Sequence, residues 1–328
     1  MKKKLLITGA SGFLGYHLIE AALLQNYEVF AGVRKSSHTT HLDKNRVTVL
    51  ALDLSDSRST QNILEQHGIN YIIHAAALTR AKTEPDYNFS NALLTRNLAM
   101  AAAAAQPGIQ KFVFISSLAA LGPSADGEPV NEDALPRPLT WYGKSKLLAE
   151  NYLKEIHQLP FIVLRPTAVY GPREKDLLLV VKSVNRGMEM YIGRDEQKLS
   201  FVYVKDLADV TIAALESKIN GEFYNISDGH VYDRYAFANA VKKSTGKKAI
   251  RLQVPQGIIK TLAAGMDTLY RRSSKTPVLN LDKVKELTAK DWSVNIAKGS
   301  RDLGFKPRYD LDHGMAETIE WYKSNKWL

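Results

Sequence analysis

The chain has 328 residues, 45% of them hydrophobic, which is enough to bury a substantial core; disorder is excluded, and one major and one minor domain are expected. It contains no cysteine, so disulfides and thiolate metal sites are excluded, and its eight histidines lack any metal-binding spacing, so no metal is expected. No apolar run is long enough to span a bilayer, and the formal charge of +10 is scattered in short pairs such as Lys242-Lys243, Lys247-Lys248 and Arg271-Arg272, without the aromatic-interleaved stretch of a nucleic-acid surface.

The start of the chain reads straight into a strand and a Gly-rich turn rather than into a signal peptide, and a cytoplasmic protein is expected. Residues 4–8 form a short apolar run, residues 13–25 carry apolar side chains at helical spacing, and a second strand-like run follows at 28–33. Further runs at 47–51, 71–75, 111–116 and 161–165 are short, apolar and bounded by polar segments, as strands of a parallel sheet buried on both faces should be. The small residues of Ala99–Ala105 fit a helix packed close to that sheet. After Pro166, Gly171-Pro172 breaks the chain, a helix is predicted over 175–187, a strand over 199–204 and a helix over 206–217. Beyond Asn225 the sequence turns mixed and more basic, and Pro255, Pro277 and Pro307 space out short helices. The expected fold is therefore α/β, a doubly wound parallel sheet of the Rossmann kind with a smaller, mostly helical C-terminal cap. Residues 1–172 with 199–225 are assigned to the dinucleotide-binding domain, and 173–198 with 226–328 to the cap.

The segment from Thr8 to Gly15 places three glycines at spacings of three, directly after a strand and opening a helix. Gly9 and Gly12 permit a tight turn and close approach of a pyrophosphate to backbone N–H groups at the positive helix end, and Gly15 lets helix pack on strand. Gly9, Ser11, Gly12, Phe13, Leu14 and Gly15 are thus candidate cofactor-binding residues, and a phosphate-bearing dinucleotide is the simplest anionic partner of the basic chain. At the end of the second strand no acid stands between Glu28 and Asp43. An acid there accepts hydrogen bonds from the ribose 2′-hydroxyl of NAD, whereas Arg34, Lys35 and Ser36 suit a 2′-phosphate, so NADP is expected to be preferred over NAD.

Tyr142 and Lys146 lie four apart and share a face if helical, and an ammonium beside a phenol lowers its pKa. Tyr322 and Lys326 have the same separation near the C-terminus and are read as a surface pair. Tyr142 differs in its company: Ser116-Ser117 closes the strand at 111–116, where open parallel sheets hold their ligands, and a hydroxyl there can hold a substrate oxygen. Ser117, Tyr142 and Lys146 are the candidate catalytic residues.

With these motifs in order, nearly the whole chain resembles the extended short-chain dehydrogenase/reductase superfamily. The likeness runs through the Thr8–Gly15 turn, Asp53-Leu54, His74-Ala75-Ala76, Asn91, Ser117, Tyr142 with Lys146, Arg165-Pro166 to Tyr170-Gly171-Pro172, and Phe201 to Asp206. It implies that Asp53 and Leu54 flank the adenine and that Ala75 and Ala76 line the cofactor backbone. It further implies that Asn91 stands behind the lysine, that Ser116 belongs to the cofactor site, and that Pro166 and Thr167 border the nicotinamide. Related dehydratases carry an acidic pair where Leu118-Ala119 stand here, which disfavours dehydration. Related sugar epimerases carry a Tyr at the place of Leu121 and a diphosphate-gripping Arg at the place of Leu199. With leucine at 118, 121 and 199 the pocket is expected to be apolar, similar to the hydroxysteroid dehydrogenase and dihydroflavonol reductase branches.

The reading is an NAD(P)-dependent oxidoreductase moving a hydride between nicotinamide and a C–OH or C=O carbon of a small, apolar substrate. A nucleotide-sugar epimerase that oxidises its substrate transiently is the alternative. A dinucleotide-sensing regulator without chemistry is the second, though such a protein has no need of Ser117, Tyr142 and Lys146 together. Partners are a small-molecule substrate and, by analogy with look-alikes, a second copy of the chain.

Overall fold

The computed structural model describes residues 2–270, 273 and 279–328; Arg271, Arg272 and Pro277 of the sequence reading lie outside them. Strands β1 (Lys4–Thr8), β2 (Glu28–Val33), β3 (Thr48–Ala51), β4 (Tyr71–His74), β5 (Lys111–Ile115) and β6 (Phe161–Pro166) alternate with helices α1 (Phe13–Leu24), α2 (Ser57–His67), α3 (Glu84–Tyr87), α4 (Leu94–Ala104) and α5 (Trp141–Glu155). Then come β7 (Ala168–Tyr170), α6 (Leu178–Asn185), β8 (Met188–Ile192), β9 (Lys198–Leu199), β10 (Phe201–Tyr203), α7 (Val204–Glu216) and β11 (Glu222–Ile226). The remaining elements are β12 (Tyr232–Asp233), α8 (Ala236–Thr245), β13 (Ile250–Val254), α9 (Gln256–Tyr270), α10 (Leu281–Thr288), α11 (Ala297–Leu303) and α12 (Leu311–Ser324).

Seven strands form one parallel sheet in the order β11-β6-β5-β4-β1-β2-β3, the doubly wound arrangement expected from the sequence. Strand side chains alternate between its faces. Leu5 and Ile7 join Leu18, Leu207 and Ile162 on the side covered by α1 and α7, whereas Leu6, Phe112 and Phe114 join Leu64, Leu98 and Leu153 under α2, α4 and α5. The alanines at 99, 101, 102 and 105 are buried in this second core, which lets α4 lie close to the sheet. Helix ends follow local chemistry: the Asp56 carboxylate accepts from Ser59 N at 2.9 Å to start α2, and Gly68, at φ +63°, ends it.

The mostly helical cap has its own core of Tyr170, Val181, Phe237, Val241, Met315 and Ile319. The strand predicted over 199–204 is two strands. β9 pairs antiparallel with β12 while β10 pairs parallel with β7, so the chain changes partner at the buried Ser200. The predicted helix over 206–217 begins two residues earlier, at Val204. Tyr322, read from the sequence as half of a surface pair, is buried. It stacks on Trp327 with ring centroids 5.8 Å apart, and its hydroxyl donates to Glu174 O at 2.7 Å. Burying its ring in the cap core outweighs what an exposed contact with Lys326 would contribute.

Candidate functional site

The sheet gathers the candidate residues at the carboxyl ends of its strands, around the point where the order reverses between β1 and β4. Thr8 leads into the Gly-rich turn, Val33 into Arg34 and Lys35, Ala51 toward Asp53 and Leu54, His74 into Ala75 and Ala76, Ile115 into Ser116 and Ser117, and Pro166 into Thr167.

In the turn, Gly9 adopts φ +69°, and a side chain there would come within 2.7 Å of Ala76 N. A side chain on Gly15 would come within 2.2 Å of Gly9 O, so β1, α1 and the end of β4 approach as closely as they do only without one. Helix α1 opens at Gly12 with no side chain capping its first N–H groups, which include those of Phe13 and Leu14. Free N–H groups at a helix start beside a glycine turn fit a pyrophosphate, so the residues present suit a dinucleotide. Two basic groups that the sequence reading did not single out lie near this turn. His41 lies near the Ser11 backbone and is kept below its ordinary pKa by burial and by Arg173 and Lys175. Arg173, directly after Gly171-Pro172, stacks on the Tyr16 ring at 4.0 Å.

Arg34 and Lys35 are both exposed, and among the described residues neither side chain has an ion-pair partner. The Asp53 carboxylate is held below its usual range by the Ser55 hydroxyl at 2.6 Å and the Ser55 N–H at 3.0 Å, with Lys35 adding to the effect. Asn97 Nδ2 donates to Leu54 O at 3.0 Å and fixes this corner.

Thr140 caps α5 by accepting from Gly143 N at 3.0 Å, which puts Tyr142 in the first turn and Lys146 and Glu150 on successive turns of one face. A side chain on Gly143 would meet Ala119 O at 2.2 Å, and this contact seats α5 against the short 3-10 turn 118–120 that Ser117 begins. Gly143 escaped the sequence reading, although its place between Tyr142 and Lys146 was visible. The seating brings the Ser117 hydroxyl near Tyr142, close enough to act on the phenol's pKa. Ser117 Oγ also accepts from Ala119 N at 3.2 Å.

The two serines diverge. Ser116 is buried, and its hydroxyl donates to Glu150 Oε1 at 2.6 Å; Glu150 in turn accepts from Arg165 Nε at 3.0 Å and Nη2 at 2.7 Å. The Ser116 hydroxyl proton is therefore engaged inside the protein and its N–H goes to Leu164 O at 2.7 Å, which leaves this residue only acceptor oxygens to offer a cofactor. Glu150 also went unread in the sequence; its signal was its position one turn beyond Lys146.

Lys146 is buried, donates from Nζ to Ile115 O at 2.7 Å and lies 4.4 Å from the centroid of the Phe114 ring. Burial brings its pKa down to about 7, against a smaller upward pull from Glu150. The expected lowering of the Tyr142 pKa by Lys146 is not what the structure shows. Burial pushes the Tyr142 phenol up, the Glu286 carboxylate on α10 adds to this, and the nearby Ser117 hydroxyl opposes both. Lys146 Nζ is turned to Ile115 O and does not offset the desolvation of the phenol.

Asn91 is wholly buried in a π-helical turn, 88–93, between α3 and α4. Its amide exchanges bonds with the Leu78 backbone at 2.7 and 3.0 Å and donates to Ser145 Oγ at 3.0 Å, next to Lys146. A single-file chain runs from here to the Gly-rich turn. The Thr95 hydroxyl donates to Asn91 O at 2.6 Å, so it accepts from His74 Nε2 at 2.8 Å. His74 Nδ1 then accepts from the Thr8 hydroxyl at 2.6 Å, which accepts from Ala76 N at 3.4 Å. The chain assigns His74 as the neutral Nε2–H tautomer, in line with burial holding its pKa down to about 3.

Leu118 and Leu121, expected to line an apolar pocket, are core. Both are buried with Val130 and Val294, and Trp292 packs against them. The 3-10 turn that presents Ser117 needs an apolar underside to seat on the cap, and these leucines supply it. Leu199 packs against the cap core that includes Phe201, with Tyr232 beside it. Thr167 N donates to Ile226 O at 3.0 Å and carries the chain from β6 past the site.

Residues 5–227 match the model of the NAD dependent epimerase/dehydratase family. The chain belongs to that family. It is an enzyme of the extended short-chain dehydrogenase/reductase type. A ceramide reductase of Caulobacter vibrioides is 27% identical over 98% of this chain and 95% of its own. A UDP-glucose 4-epimerase of Vibrio cholerae is also 27% identical, again over 98% of this chain and 95% of its own. The UDP-glucose 4-epimerase of Thermus thermophilus, solved in complex with NAD, shares the fold with a TM-score of 0.78 at 24% identity over 98% of this chain and 99% of that one. Among the described residues no helix is long and apolar enough to cross a membrane.

Proposed function

We propose that this member of the family is an NADP-preferring oxidoreductase acting on a C–OH or C=O carbon of an apolar substrate, in the cleft between the Rossmann domain and the cap. The observation that carries the reading is the convergence of Ser117, Tyr142 and Lys146 beside a glycine turn suited to a dinucleotide. When bound, the nicotinamide supplies or accepts the hydride. Backbone N–H groups of Ser11, Phe13 and Leu14 would hold the pyrophosphate, Ala75, Ala76, Pro166 and Thr167 would border the cofactor, and Arg34 and Lys35 would meet the 2′-phosphate. In reduction Ser117 holds the substrate oxygen and Tyr142 gives that oxygen its proton; oxidation reverses the transfer. The raised pKa of Tyr142 keeps the phenol protonated at neutral pH, which suits the reducing direction. Lys146 would hold the ribose of the bound cofactor.

The apolar substrate rests on Leu199, which stands where a sugar-diphosphate site carries an arginine, and on the full-length likeness to a ceramide reductase. The likeness to a UDP-glucose 4-epimerase favours a second reading, in which the same proton and hydride steps run out and back on one nucleotide sugar. Calorimetry on the cofactor-loaded protein separates the two. The first reading expects apolar ketones and alcohols to bind and UDP- and GDP-sugars not to; tight binding of a nucleotide sugar with none of the apolar ligands reverses it.

A further inference from the structure

The parallel ribbon of β8 and β13 turns the Glu189 carboxylate inward, while Arg251 and Gln253 on the same side stay exposed. Glu189, 2% exposed, accepts from Lys242 Nζ, from Tyr191 at 2.9 Å and from Arg251 Nε at 3.3 Å. Strand alternation and the register, Met188 with Ile250 and Met190 with Leu252, send these four side chains to the opposite face. They are 44, 72, 65 and 41% exposed, the reverse of the usual surface ribbon, which buries its apolar face. The ribbon begins between free cations. Arg186, Lys247 and Lys248 are exposed, and among the described residues their side chains have no ion-pair partner. Ile250 N donates to Gly187 O at 2.9 Å, which draws the two basic ends together. From β13 the chain passes through Pro255 into α9, where Ile258, Leu262 and Leu269 form one stripe, each more than half exposed.

We propose that the open face of the β8–β13 ribbon, with the stripe of α9, docks on an anionic phospholipid surface. Met188, Met190, Ile250 and Leu252 enter the boundary between headgroups and acyl chains, and Arg186, Lys247 and Lys248 meet the lipid phosphates. Charge selects this occupant. The one carboxylate of the ribbon is already spent on Lys242 and Arg251, and a second copy of a chain with net charge +10 would bring the same cations to the contact. Apolar insertion and charge attraction act together, so attachment is reversible and weakens with salt. The docking is independent of the hydride chemistry proposed above.

Co-sedimentation of the full chain with phosphatidylcholine vesicles, with and without phosphatidylglycerol, at low and high salt tests this. Binding is expected to the anionic vesicles and not to the neutral ones. Met190→Glu with Ile250→Glu, and separately Arg186→Glu with Lys248→Glu, are each expected to weaken it by about tenfold or more, with cofactor binding and circular dichroism retained. Equal or absent binding to the two vesicle types, or binding unchanged in both double variants, overturns the proposal. So does loss of self-association in Met190→Glu with Ile250→Glu without loss of vesicle binding, which makes the face a contact between copies.

Discussion

Ser116 gives its hydroxyl proton to Glu150 Oε1 over 2.6 Å, while the hydroxyl of Ser117, the next residue, accepts from Ala119 N at 3.2 Å and lies near Tyr142. One serine is tied into the interior and the other is the one proposed to face the chemistry. Ser116→Ala is therefore expected to cost about 1 kcal/mol of stability and to leave kcat within about threefold, because Glu150 keeps both bonds from Arg165. Ser117→Ala is expected to cost about a hundredfold in kcat with little loss of stability. Urea unfolding and steady-state kinetics on the two variants check this; the opposite assignment of losses contradicts it.

His74 makes stability depend on pH. Its folded pKa, near 3, lies below its ordinary 6.5, so between those values the unfolded chain binds a proton that the folded one refuses. The contribution is fully present above pH 6.5 and is lost as pH falls toward 3, by at most about 1.4 kcal/mol per pH unit. Unfolding free energies of wild type and His74→Gln across this range are expected to show the steeper acid loss in wild type. Equal slopes contradict the neutral, buried assignment.

Lys146 is held near 7 against an ordinary 10.5, so its burial destabilises the fold fully below pH 7, and the penalty fades as pH rises toward 10.5. Lys146→Met is expected to raise stability at pH 7 by on the order of 1–3 kcal/mol while abolishing turnover, with the stability gain shrinking at alkaline pH. A less stable variant at pH 7 means that the bond to Ile115 O outweighs desolvation.

The sheet was legible because its strands are buried on both faces and read as unbroken apolar runs, Lys4–Thr8 and Lys111–Ile115 among them. The residues at the strand ends followed from the same pattern, since the Gly-rich turn and Ser117 sit where those runs stop. Contacts between distant segments were not legible. Gly143 matters through its approach to Ala119, His74 through a chain of bonds spanning Thr8 to Asn91, and Glu150 through Ser116 and Arg165; no spacing along the sequence encodes these meetings. Leu118 and Leu121 misled for a related reason. A leucine next to a site residue looks the same in sequence whether it faces the pocket or the core, and the 3-10 turn points both inward.

The proposed preference for NADP rests on Arg34. A charge-assisted contact from it to a 2′-phosphate, with Lys35 beside it, is expected to favour NADP over NAD by about tenfold to hundredfold. Arg34→Ala is expected to erase most of that preference by weakening NADP alone. Dissociation constants for both cofactors on both proteins check this, and equal affinities in wild type, or tighter NAD, contradict it.

The central claim is net hydride transfer with Tyr142 as the proton carrier. The most direct measurement follows the absorbance of reduced nicotinamide as wild type and Tyr142→Phe meet a panel of apolar ketones and alcohols, with UDP-sugars in parallel. The account predicts stoichiometric cofactor turnover by wild type on at least one apolar compound, and its loss in Tyr142→Phe with cofactor affinity nearly unchanged. Interconversion of sugar epimers with no net cofactor change, or a Tyr142→Phe variant as fast as wild type, contradicts it.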